Sequence, residues 1–390
     1  MTASACPACG SQRLHTIYEL ESIPVQSCIL VPTEEEALNF PRGDITLSFC
    51  SSCGFIFNSV FDVDNVDYAA ATEESQHFSG TFNRFAERLI SDIAHRYDLS
   101  GRTTLEIGCG KGDFLKALVA TTGTYGIGVD PGFIPERLAT NGSNNIKFMR
   151  EYFKSDRIEF DPDFVVCRHT LEHIPAVWDF VSDIDRTLKN QPRAVFFETP
   201  DTRRLLVQGA FWDIYYEHCS YFTLGSHARL FRRAGMNVTD LYLEYGGQYI
   251  VQYAMSHATG PQLRQECDLD EVRHLVREFP KRVADSRDYW TKFVRDRAAV
   301  GKRVVLWGGG SKATSFITSN RLEDDIADVV DINPFKQGKF IPGTARQVHA
   351  PEALCDRPPD TVIAMNAMYA KEIADHLAQL GMKPELVALP

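Results

Sequence analysis

The sequence predicts an α/β chain: a short β-rich N-terminal segment, a doubly wound parallel-sheet core, and a second, smaller α/β unit at the C-terminal end. Three observations predict it. Strand-like and helix-like segments alternate from about residue 101, a second alternation begins near residue 302, and two Cys-x-x-Cys-Gly turns bracket the β-like pieces before them. The 390 residues allow two or three domains. Hydrophobic and charged contents of 44% and 24% suit a globular chain that buries full cores. A net charge of −11 argues against nucleic acid or an anionic membrane surface as partner. No apolar run approaches the ~18 residues of a membrane span. The start, MTASACPACGSQRL, lacks the basic and apolar regions of a secretory signal, so a cytoplasmic, reducing setting is expected.

Residues 1–72 hold short β-like pieces such as DITLSFC and GFIFN, joined by Pro and Gly. FSGTFNRFAERLISDIAHRYDL, within 75–98, has apolar residues at helical spacing and opens a core expected over 73–256. There TTLEIGC, YGIGVD, IKFMR, DPDFVVC and AVFFETP read as strands, and KGDFLKALVATT and AVWDFVSDIDRTLKN as helices. VTDLYLEYGGQYIVQYAM reads as two antiparallel strands. Residues 257–300 read as a helical connection, one long helix or two interrupted at Pro280. KRVVLWGGG, SKATSFI, ADVVDINP, DTVIAMN and KEIADHLAQLG then make a second α/β unit over 301–390.

Four of the ten cysteines stand in pairs, Cys6 with Cys9 and Cys50 with Cys53. Each CxxCG turn presents two sulfurs, and four thiolates suit a tetrahedral, closed, structural zinc. Such a site leaves no open position for catalysis.

TTLEIGCGKGDFL is a strand running into a glycine-rich turn and a helix. Gly108, Gly110 and Gly112 let the backbone turn tightly and let a ligand approach the helix N-terminus. Glu106, two positions before the first glycine, is a poor neighbour for phosphate and a good one for a cation. S-adenosylmethionine carries a sulfonium and an ammonium, which suits Glu106 and Asp113. Asp130 closes the next strand and is placed to accept ribose hydroxyls.

LEIGCGKG, GVDPG and DFVVCRHTLEHI resemble class I S-adenosylmethionine-dependent methyltransferases, and the order of parts resembles the zinc-containing sugar C-methyltransferases of deoxysugar biosynthesis. The resemblance covers essentially the whole chain. It implies a Rossmann-like methyltransferase core, an N-terminal zinc domain, and a smaller Rossmann-like C-terminal unit that closes over a nucleotide-linked keto-sugar. It also implies a monomer or homodimer. Methylating carbon requires a base to remove a proton α to a ketone and a donor for the enolate oxygen. In YYEHCSYF the family motif Tyr-x-Glu-His falls on Tyr215, Glu217 and His218, with His173 of HTLEHIP as its companion. The resemblance implies His218 as base, with Tyr215, Glu217 and His173 handling protons or the enolate. His169 ends the fourth core strand, where such folds line the cofactor pocket. If the run is a strand, Glu217 and His218 point to opposite faces and take separate roles. One departure stands out: where those enzymes carry Tyr-His-Ser-Ser-Gly, this chain has Gln76-His77-Phe78-Ser79-Gly80. Tyr68 is the nearest candidate replacement.

The second turn, Gly308-Gly309-Gly310-Ser311-Lys312-Ala313, follows a strand, and Asp331 ends the next one about twenty residues on. Alone it reads as a dinucleotide fingerprint. The small size of the unit favours substrate handling instead, with Gly308, Gly310, Lys312 and Gln76 as substrate-side residues. Three competing readings stay open: an O- or N-methyltransferase, a zinc-ribbon binding protein that keeps the cofactor as a sensor, and an oxidoreductase using the second turn.

Overall fold

The computed structural model describes residues 3–69, 73, 75–135, 145–189 and 191–390. The N-terminal part comprises β1 (Leu14–Pro24), α1 (Glu34–Leu38), β2 (Arg42–Cys50) and β3 (Ile56–Asn58). The long helix α2 (Gly80–Arg96) leads into the core. Its first residue is fixed by Ser79, whose hydroxyl accepts from the N–H groups of Thr81 and Phe82. The helix therefore begins later than its hydrophobic pattern. That pattern buries Phe82, Phe85, Leu89, Ile90 and Ile93 along one stripe.

The core runs β4 (Thr103–Ile107), α3 (Asp113–Thr122), β5 (Tyr125–Val129), β6 (Ile146–Met149), β7 (Phe164–Arg168), α4 (Val177–Thr187), β8 (Ala194–Pro200) and α5 (Thr202–Gln208). It continues with β9 (Ser220–Tyr221), α6 (Leu224–Arg233), β10 (Asn237–Glu244) and β11 (Tyr249–Met255). Seven strands form one sheet in the order β10-β11-β8-β7-β4-β5-β6. All its pairings from β8 to β6 are parallel, and β11 runs antiparallel to both β8 and β10. Strands β7 and β8 are almost wholly buried, as expected of a sheet covered on both faces. The carboxyl ends of β4 and β7, beside the switch in strand order, form the natural ligand crevice.

β9 leaves the core and pairs with β3, so the N-terminal sheet reads β1-β2-β3-β9. This strand follows YYEH directly. The quoted motif is thus no strand interior but a bent loop between α5 and β9, which frees Glu217 and His218 from opposite-face alternation.

α7 (Leu269–Ala298) is one helix that runs straight through Pro280. Pro280 itself is exposed, between the buried Phe279 and Val283, so its ring lies off the packed stripe of the helix. The C-terminal unit comprises β12 (Val304–Trp307), α8 (Ser311–Asn320), β13 (Asp328–Val330), β14 (Val348–His349), β15 (Thr361–Ala364), α9 (Ala370–Gln379) and β16 (Glu385–Ala388). Its five strands are all parallel in the order β14-β13-β12-β15-β16, with the switch between β12 and β15. The short strands β14 and β16 carried no readable sequence pattern.

The units share a core. Phe211 stacks on Phe316 of α8, and Trp212 meets Trp290 of α7 edge-on. The backbone of Val31 exchanges two hydrogen bonds with Phe340. Among the described residues no helix is long and apolar enough to cross a membrane.

Candidate active site

A cavity of about 650 Å³ lies where the three parts meet, and both glycine-rich turns open into it. On the core side, β4 carries the buried Glu106 next to its last residue, and one of its carboxylate oxygens has no hydrogen-bond partner among the described residues. Burial pushes this carboxyl up to about 8, although nearby Arg168 opposes the shift. Gly108 has φ of +71°, and a Cβ there would lie 1.8 Å from the Thr170 hydroxyl. Asp130, ending β5, accepts from the N–H groups of Gly110 (2.8 Å) and Gly132 (2.7 Å). Asp113 also lines the cavity. Gly112 does not: it caps α3 at φ +77°, and an added Cβ would lie 2.5 Å from the Phe148 ring. Its role is packing.

The second turn repeats the same construction. Asp331, following β13, accepts from Gly309 N–H and Asn333 N–H, both at 2.8 Å. Gly308, Gly310 and Lys312 line the cavity as expected. Lys312 is not simply solvated, since its ammonium lies 3.0 Å from Asp213. Lys336 pairs with Asp331 at 3.1 Å.

Between the turns stand Tyr215, Glu217, His218 and His173, all lining the one cavity. The His218 ring meets Tyr215 and His173 edge-on, each with centroids 4.7 Å apart. Among the described residues no group hydrogen-bonds the His218 ring nitrogens. Burial, and then the neighbouring His173, hold its pKa well below the ordinary histidine value, so the imidazole is neutral. His173 Nδ1–H donates to the Glu217 carbonyl at 3.0 Å, which leaves Nε2 to the cavity. Glu217 Oε1 accepts from Ser27 N–H (2.7 Å) and the Ser27 hydroxyl (2.5 Å), while Oε2 is buried without a partner. Burial raises this carboxyl above its usual range.

His169, at φ +47°, sits 2.6 Å from Glu198 and 3.6 Å from Glu172. Burial alone would lower its pKa, but these carboxylates carry it up to about 9, so it is an imidazolium at neutral pH. Arg168 pairs with the same Glu198.

Residues 81–241 match a family described as methyltransferase domain, and residues 256–386 match the C-methyltransferase C-terminal domain. The core is thus similar to methyltransferase domains and the C-terminal unit to that of C-methyltransferases. The chain is 29% identical over 221 residues to the C-methyltransferase NovU of Streptomyces niveus, a match covering 54% of this chain and 52% of NovU. The match thus spans about half the length of that relative. Among solved structures it is similar to a Burkholderia thailandensis 1,6-didemethyltoxoflavin-N1-methyltransferase (19% identity, 44% of this chain, 79% of the other, TM-score 0.36). A Synechocystis magnesium protoporphyrin IX methyltransferase is similar too (14% identity, 45% and 83%, TM-score 0.36).

The four paired cysteines converge. Sγ of Cys6 lies 3.7 Å from that of Cys53, Sγ of Cys9 3.6 Å from that of Cys50, and all four lie within 4.8 Å of one another. A tetrahedron with Zn–S bonds of about 2.3 Å has edges of about 3.8 Å, so the cluster fits zinc. Arg229, Arg233 and Arg273 donate to the carbonyls of Cys53, Ala8 and Ser51 and seat the knuckles on α6 and α7. Glu172, His173 and His218 also bring donor atoms within 4.8 Å of one another. A cation there would occupy the lone pair that makes His218 basic.

Sequence reasoning missed Ser27, Asp213, Glu198 and Tyr249. Tyr249 lines the cavity with its ring 4.5 Å from His169. Gln76, at the family's tyrosine position, accepts from the Tyr369 hydroxyl at 2.7 Å. Tyr68 is a brace rather than a replacement, since its hydroxyl is shared between the carbonyls of Glu217 (3.1 Å) and His173 (3.3 Å).

Proposed function

We propose that the protein is a C-methyltransferase that removes a proton α to a ketone and methylates the resulting enolate. The observation that carries this reading is the neutral, half-buried His218, its ring nitrogens free of hydrogen bonds among the described residues, in the same cavity as Glu106 and the first glycine turn. A charged imidazole could not accept a proton, so burial prepares the base. Glu106, Asp113, Asp130 and the turn at Gly108 and Gly110 would hold S-adenosylmethionine, and the orphaned Glu106 oxygen suits its cationic end. Bound there, the cofactor supplies an electrophilic methyl group. His218 takes the α-proton. The raised Glu217 carboxyl, which Ser27 orients, and His173 face the developing oxyanion. His169, with Glu198, forms the polar wall of the cofactor side.

The substrate is read as a nucleotide-linked keto-deoxysugar. Its phosphates are read against the second turn, where Lys336 reaches Gly310 and where Arg204 and Lys312, both paired with Asp213, line the same cavity. The cysteine cluster is read as one structural zinc site.

The test is mass spectrometry of reactions with S-adenosylmethionine and a panel of nucleotide-linked 4-keto-6-deoxysugars in heavy water. A product methylated on a carbon α to the ketone is expected, with deuterium at that carbon in the recovered, unmethylated substrate. His218→Ala should abolish both signals and leave the cofactor Kd within about twofold, because His218 acts on the chemical step alone. Methyl gained on oxygen or nitrogen without α-deuterium would overturn the reading.

A further inference from the structure

Tyr215 is tied down in a way the reaction does not demand. Its hydroxyl donates to Asp213 Oδ1 at 3.1 Å. The same carboxylate binds Lys312 Nζ, at 3.0 Å from Oδ1 and 3.3 Å from Oδ2, and Arg204 of α5. Lys312 belongs to α8, in the other unit. A further contact from α8 holds the backbone on either side of Asp213: the Ser315 hydroxyl shares its one proton between the carbonyls of Phe211 (2.9 Å) and Ile214 (3.0 Å). The segment carrying Asp213 and Tyr215 is thus bolted to the C-terminal unit.

We propose that Asp213 is a positioning residue for the proton chemistry: docked on Lys312 and Arg204, it fixes the Tyr215 hydroxyl and, through the Tyr215 ring, the face of His218. The assignment rests on reading His218 as the base. Physically, a carboxylate that accepts a phenol proton decides which way that proton points. Burial would raise the Asp213 carboxyl, but Lys312 and Arg204 hold it below the ordinary range, so it stays charged. Burial and that negative charge push Tyr215 well above the ordinary tyrosine value, so it keeps its proton. The proton stays committed to Asp213. Tyr215 then neither donates to an enolate nor accepts from His218. It is a rigid wall, with its ring at 80° to the imidazole and 4.7 Å away. Loss of the wall lets the base tilt, and small misplacements of a reacting group cost roughly 10- to 100-fold in rate.

A double-mutant cycle on the full-length, zinc-loaded protein separates this from a plain structural ion pair. With a nucleotide-linked 4-keto-6-deoxysugar that turns over, Asp213→Asn should lower kcat roughly 10- to 100-fold and leave KM and cofactor Kd within about twofold. In a Tyr215→Phe background the same change should add less than about twofold. Equal losses in both backgrounds would overturn the proposal. A second readout needs no substrate. With tyrosine labelled at Cζ with carbon-13, the resonance missing from Tyr215→Phe should shift in Asp213→Asn and in Lys312→Met. An unmoved resonance overturns the link even if activity falls. Conversely, turnover by His218→Ala would remove the base assignment while the Tyr215 resonance still reported on Asp213.

Discussion

Glu106 shows how one side chain can be costly to the fold and useful to the ligand. Its pKa of about 8 against an ordinary 4.5 means that the folded protein holds this proton more tightly than the unfolded chain. Stability is therefore undiminished below the ordinary value and falls as pH rises from there through about 8. A cationic ligand reverses the preference, because it binds the ionised carboxylate. S-adenosylmethionine Kd should fall by up to about tenfold per pH unit from roughly pH 6 to the pKa near 8, then flatten. Glu106→Gln should remove that dependence, weaken binding, and raise Tm more at pH 8 than at pH 5. Titration calorimetry across pH and thermal melts at the two pH values check this. A Kd independent of pH in the wild type would sink it. The place of Glu106 in the cavity was readable from the sequence because it is local, two positions before a glycine turn. Asp213 was not. It is one of 52 acidic residues, and its partner Lys312 lies 99 residues away. Ser27 was hidden for the same reason, 190 residues from Glu217.

At the scale of elements, the N-terminal sheet does more than fold around its cysteines. Its fourth strand is β9, which directly follows His218 and Cys219, and the loop after β1 carries Ser27 to Glu217. The proposed zinc site therefore bears on both stability and the site. Chelation, or Cys53→Ser, should lower Tm by several degrees and kcat with it, because metal binding at such sites is folding free energy. Ser27→Ala should separate the two. It removes one hydroxyl donor to Glu217 but keeps the Ser27 N–H bond, and should lower kcat while shifting Tm far less than chelation does. Melting curves and initial rates on the same samples decide it, and a rate untouched by Ser27→Ala would reduce Ser27 to packing. The elements themselves were legible where a period was sustained, as in α2 or β4 to β8. Three features escaped. The exposed side of Pro280 lets α7 continue, the YYEH run is bent by joining a foreign sheet, and β14 and β16 are too short to show alternation.

For the whole molecule, the question is what keeps the C-terminal unit closed over the cavity. One side of the contact is apolar and interlocked, with Phe211 on Phe316 and Trp212 on Trp290. The other is polar. Gln248 and Asn366 exchange a reciprocal pair of amide hydrogen bonds at 2.9 Å, and Tyr369 donates to Gln76. Glu372 Oε2 accepts from the Ser79 hydroxyl (2.8 Å), the Thr81 hydroxyl (2.9 Å) and the Thr81 N–H (3.3 Å). The last of these places a carboxylate of α9 at the N-terminus of α2, where the helix dipole and unpaired N–H groups favour negative charge. Polar bonds that water can replace open at lower cost than an apolar interlock, so the seam at 366–372 is the side expected to part. Glu372→Ala should cost about 1–2 kcal/mol of stability. It should raise amide hydrogen exchange at residues 79–83 and 366–372 together, while exchange around Phe211 and Phe316 stays slow. Coupled loosening on both faces of the seam identifies Glu372 as the latch between units. Faster exchange confined to the α2 N-terminus would reduce it to a helix cap, and the closure of the cavity would then rest on the Gln248–Asn366 and Gln76–Tyr369 pairs alone.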